Sequence, residues 1–73
     1  MAMLILEAIG PRGEELVLAA AAARGYPVGW DSEFDSATID ADGVDDDELR
    51  TVIFEQLDSQ DPEWRSHLQV VDD

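Results

Sequence analysis

Cysteine and lysine are absent from this 73-residue chain, histidine occurs once, and aromatic residues make up only 7% of it. Each shortage excludes something. Without cysteine there is no disulfide and no thiolate centre, and the cytoplasm is the expected compartment. One histidine, His67, and no cysteine remove the usual ligands of a transition-metal site. No serine or cysteine signature accompanies His67, so a nucleophilic triad has no support. The expectation is no catalytic residue, no metal site and no cofactor. Apolar runs are also short. None approaches the ~20 residues of a membrane span, and the opening MAMLILEAIGPRG lacks the basic segment of a secretory signal.

Positive charge is scarcest of all. Arg12, Arg24, Arg50 and Arg65 face 18 Asp and Glu, which leaves a net charge of −14. A polyanion does not bind nucleic acid through its phosphates, and an anionic membrane surface is disfavoured for the same reason. Such a field keeps a protein soluble and steers it toward basic partners. The apolar fraction of 45% is ordinary for a folded chain. Its length sets one small domain over residues 1–73, burying about 60% of the surface of its unfolded chain.

The residues that are present arrange themselves into elements. MLILEAI (3–9) is almost continuously apolar and stops at Gly10-Pro11, which reads as a central strand buried on both faces. Pro11 suits a first helical turn, and EELVLAAAAAR continues it to Arg24 and Gly25, predicting a helix over 11–24. Its expected inner face holds Leu16, Ala20 and Ala23, flanked by Val17 and Ala19. YPVGWD (26–31) contains a proline and reads as an edge strand. FDSATID (34–40) alternates Ala37 and Ile39 against Ser36 and Thr38, as a half-buried strand does.

DADGVDDDELR (40–50) needs more care. With Gly43 at the sixth position of a calcium-binding loop, the first position is Thr38 and the twelfth Leu49, so two of the strongest ligands are missing. A non-standard cation site at Asp40, Asp42 and Asp45 is the alternative that remains. As a helix start the segment fits better. Asp45 is the N-cap with Glu48 three residues on, Val44 and Leu49 make a hydrophobic staple, and Asp46 and Asp47 sit where the helix dipole favours anions. Leu49, Val52, Ile53 and Leu57 then form one stripe, which predicts a helix over 46–58. Asp61-Pro62 restarts the chain, PEWRS suits a short helical turn, and LQVV (68–71) suits a last strand.

The element order β-α-β-β-α-β is that of an α+β, ferredoxin-like fold, with two helices on one face of a four-stranded antiparallel sheet and strands one and three central. The loop GPRG (10–13) matches no dinucleotide or Walker spacing, and Pro11 deletes a donor from it. Phe54 lies about 140° around its helix from Leu49. It either packs on Trp64 after the chain turns, or the two form an exposed apolar anchor.

The functional expectation is a non-enzymatic interaction module docking a protein partner with a basic surface. Its candidate contacts are Asp40, Asp42, Asp45, Asp46, Asp47 and Glu48, with Phe54 and Trp64 as anchors. A homodimer through sheet-edge pairing is an allied expectation. Two alternatives stand beside it: a DNA mimic whose carboxylates replace phosphates, and a domain binding a small ligand or cation.

Overall fold

A computed structural model describes residues 2–71. Its elements run β1 (Ala2–Ala8), α1 (Pro11–Arg24), β2 (Val28–Asp31), β3 (Ser36–Ala41), α2 (Asp46–Gln60), a 3-10 turn (Trp64–Ser66) and β4 (Leu68–Val70). The sheet order is β2-β3-β1-β4 with every pairing antiparallel. This is the expected ferredoxin-like α+β arrangement, with β1 and β3 central. The register sets Leu4 opposite Ile39, Leu6 opposite Ala37 and Val28 opposite Ile39, so these side chains share the face beneath the helices.

The core is built on that face. Leu4, Leu6, Ala37 and Ile39 from the sheet meet Leu16, Val17, Ala20 and Ala21 of α1 and Leu49, Ile53 and Leu57 of α2. Among the described residues no polar or charged one is buried. The charges of the described residues therefore lie outside the core, where solvent screens them.

Three expectations need correction. β1 is not buried on both faces, because both helices lie on one side of the sheet and Met3 on the other side is 52% exposed. The inner face of α1 is Gly13, Leu16, Val17, Ala20 and Ala21, while Ala19 and Ala23 are exposed. That is a rotation of about 60° from the expected stripe. Five consecutive alanines carry no hydrophobic contrast that could orient the helix. Phe34 belongs to the turn before β3 rather than to the strand, and it is 61% exposed.

The chain also begins β2 later than expected. The Tyr26 N–H donates to the Ala21 carbonyl at 3.0 Å, closing the end of α1, and Pro27 has no N–H to give. α2 is two residues longer than expected, ending at Gln60, and its capping matches the sequence: Asp45 Oδ1 accepts from the Glu48 N–H at 2.8 Å. Among the described residues no helix is long and apolar enough to cross a membrane.

Candidate functional site

The end of the molecule where α1 and β3 finish and α2 begins gathers the acidic segment. Gly25, at φ 74°, takes the left-handed conformation that ends α1. It delivers Tyr26 half-buried against the core and Pro27 alongside β3, where the Pro27 carbonyl accepts from the Asp40 N–H at 3.3 Å. β3 then runs out through Asp40 and Ala41 to a turn at Gly43, φ 83°. Val44 folds back onto the core, and α2 starts at once.

The six carboxylates between Asp40 and Glu48 divide into two groups. Asp45 caps α2, and Asp46 Oδ1 accepts from the Met3 N–H of β1 at 3.2 Å, so both hold the fold together. Asp40 is half-buried and Asp42, Asp47 and Glu48 are exposed, and among the described residues their side chains carry no such bond. No arginine lies between residues 40 and 48 to neutralise them.

Beside them is a cavity of about 210 Å³, lined by Gly25, Tyr26, Pro27, Asp40, Ala41 and Asp42. A phenol ring, a proline and two carboxylates suit an ammonium or guanidinium group, whose apolar stem can lie on the rings while its head meets the acids. Among the described residues no three His, Asp or Glu side chains converge as a metal-ligating group. Asp40, Asp42 and Asp45 therefore do not assemble the alternative cation site.

Phe54 and Trp64 are brought together, but not as an exposed anchor. Their ring centroids are 5.2 Å apart at 36°. Trp64 is only 1% exposed, and its indole N–H donates to Asp58 Oδ1 at 2.6 Å. The Arg65 guanidinium covers both rings, 4.3 Å from the Trp64 centroid and 5.2 Å from that of Phe54. Trp64 belongs to the core and Phe54 packs against it, in the C-terminal half of α2. Eight residues of helix, about 12 Å, separate Phe54 from Asp46.

The opposite end of the sheet has a second cavity, of about 270 Å³, lined by Ala8, Gly10, Pro11, Glu14, Trp30 and Asp35. Although it adjoins the start of α1, the carboxylates of Glu14 and Asp35 oppose any phosphate there. Arg12, the cation of the GPRG loop, turns instead to Glu15 Oε1 at 3.5 Å and Asp61 Oδ2 at 3.4 Å. Asp61 also accepts from the Glu63 N–H at 2.9 Å. That backbone bond, ahead of the Arg12 guanidinium, holds its carboxyl below the usual aspartate value.

Compared with known protein families, characterised proteins and solved structures, the chain shows no match.

Tyr26 is the cavity-lining residue that sequence reasoning missed. Its signal was its position, one residue past a C′ glycine and at the mouth of an edge strand.

Proposed function

We propose that this protein is a non-enzymatic, cytoplasmic interaction module whose acidic end receives a basic protein surface. The observation that carries this reading is the juxtaposition of the Tyr26–Asp40–Asp42 cavity with the outward carboxylates of Asp47 and Glu48 on one end of the molecule. A lysine or arginine of the partner enters the cavity, and its neighbours meet the start of α2. The one-sign field accelerates encounter and suppresses acidic competitors. Asp45 and Asp46 support this surface rather than contact the partner, because their carboxylates are already occupied by backbone N–H groups. Trp64 is buried and contributes through the fold alone.

The test neutralises only the carboxylates without a structural bond: Asp40→Asn, Asp42→Asn, Asp47→Asn and Glu48→Gln together. A short arginine-rich peptide serves as probe, titrated by calorimetry at about 20 mM and about 0.5 M salt. Tight binding at low salt that the four changes abolish supports the reading. Equal binding by the variant and the parent protein overturns it. Competition between the protein and duplex DNA for a single basic DNA-binding partner would favour the DNA-mimic alternative.

A further inference from the structure

The face of the sheet away from the helices is uncovered, and its charges are not evenly spread. Strand register sorts it into rows. One row holds Ile5 opposite Thr38, Thr38 opposite Gly29, and Val71, whose N–H donates to the Ile5 carbonyl at 3.0 Å. In a chain with 18 acidic residues this row crosses β2, β3 and β1 and reaches the residue after β4 without one charge. On one side of it lies the row Gln69, Glu7, Ser36, Asp31. On the other side Met3 faces Asp40. Met3 and Val71 are 52% and 48% exposed, and Ile5 is half-buried between them. The result is a neutral lane floored by Ile5 and Val71, bordered by Glu7 and Asp31 on one side and by Met3 and the single carboxylate of Asp40 on the other.

Gly29 supplies an independent observation. A glycine inside a strand weakens it and needs a reason. The register of β2 on β3 is unbroken, so there is no bulge. Its backbone is not in the left-handed region, and a Cβ added there meets nothing within 4 Å. The fold does not require glycine at this position. Gly29 therefore leaves open space at the β2 edge of this face.

We infer that this lane is a docking surface for a basic amphipathic helix of the partner. The inference rests on the reading that the partner is basic. Residues four apart along a strand are about 13 Å apart, so the acidic borders stand about 13 Å from one another. A helix is about 10–12 Å across with its side chains. Its apolar stripe lies on Met3, Ile5 and Val71, and its lysines or arginines reach Glu7 and Asp31 on one side and Asp40 on the other. Gly29 leaves the lane open at the β2 edge. A second copy of this chain is the wrong occupant, since it would set Glu7, Asp31 and Asp40 against carboxylates of the same sign.

The test uses the full chain and a synthetic amphipathic helix of leucine and lysine, about 14 residues long, with a scrambled peptide of the same composition as control. Amide shifts are followed by NMR, and sedimentation reports self-association. The expected result is saturable perturbation at Ile5, Gly29, Thr38 and Val71 by the amphipathic peptide. Gly29→Val then weakens binding about tenfold, because added bulk enters the lane, without lowering the thermal midpoint. Thr38→Arg weakens it further by adding a positive charge. Perturbation confined to Asp47 and Glu48, unaffected by Gly29→Val, overturns the lane and leaves the acidic-end reading intact. Equal binding of the scrambled peptide does the same. Saturable binding of neither peptide at low salt overturns both. A concentration-dependent dimer that Gly29→Val disrupts overturns the basic helix in favour of a second copy.

Discussion

Gly13 in the first turn of α1 presses against His67: a Cβ built on Gly13 overlaps the His67 carbonyl oxygen, which itself accepts from the Ile9 N–H at 2.7 Å. Neither neighbour is a flexible side-chain tip, since Ala8 backbone lies 3.2 Å away on the same side. Gly13→Ala therefore forces the helix off the sheet and costs about 1–3 kcal/mol. Gly29→Ala enters open space and is neutral or stabilising by about 0.4–1 kcal/mol. Urea unfolding of both variants checks this. Equal midpoints for the two would show that the close approach at His67 is not a constraint.

Trp64 fills a buried site, stacks on Phe54 and donates to Asp58 at 2.6 Å. Trp64→Phe keeps most of the packing but leaves Asp58 without its donor, whereas Trp64→Ala opens a cavity and costs about 3–5 kcal/mol. Asp58→Ala removes only the bond and leaves a buried N–H unpaired, at about 1–3 kcal/mol. Denaturant midpoints should therefore fall in the order parent, Asp58→Ala, Trp64→Ala. A silent Asp58→Ala would place the indole N–H in contact with water.

The fold was legible where local signals agreed with one another. At 45–49 the N-cap, the acidic first turn and the staple all pointed to one helix start, and that start is where α2 begins. Element order then fixed the sheet, because two βαβ units interleave in few ways. Legibility failed where the residues carry no contrast. Five alanines could not orient α1, and the apolar run Ala2–Leu6 of β1 concealed that Met3 and Ile5 face away from the helices. Of the candidate contacts, local spacing explained Asp45 through its cap. The bond from Met3 to Asp46 spans 43 residues and had no local signature. The neutral lane has none either, since it exists only once four strands are in register.

Asp45 and Asp47 are two residues apart with the same side chain and different duties. Asp45→Ala removes the cap bond to the Glu48 N–H and costs about 0.5–2 kcal/mol. Asp47→Ala removes a dipole contact at an exposed position, worth about 0.3–1 kcal/mol, and also relieves repulsion from its acidic neighbours. The larger loss should belong to Asp45 in thermal unfolding. A reversed order would mean that charge, rather than the cap, governs the start of α2.

Asp61 sets a pH dependence whose sign follows from its bonds. The Glu63 N–H and the Arg12 guanidinium both favour the ionised carboxyl, so its folded value lies below the ordinary 3.8. A depressed carboxyl contributes stability that is complete above the unfolded value and disappears as pH falls through the folded one. Carboxyl-carbon NMR should show Asp61 titrating below 3.8, and Arg12→Ala should bring it only part of the way back, because the backbone bond is the larger cause. Titration at or above 3.8 in the parent protein would contradict that bond.

Salt should act on the whole molecule in the direction opposite to its action on single ion pairs. Eighteen carboxylates repel one another across a body whose longest dimension is 31 Å, and four arginines cannot offset them. Among exposed pairs, Arg12 with Glu15 and Asp61 is worth about 0–1 kcal/mol and weakens as salt is added. The repulsion is summed over many distances that lie within the screening length of about 30 Å at 0.01 M and beyond that of about 3 Å at 1 M. Relief of repulsion therefore outweighs the lost pairs. The thermal midpoint should rise steadily with sodium chloride, most steeply below about 0.2 M. Replacing Asp40, Asp42, Asp47 and Glu48 by their amides should raise the midpoint at low salt and flatten its further rise. A midpoint that falls with salt, or a four-residue variant as salt-sensitive as its parent, would show that the acidic end is not where the repulsion is concentrated.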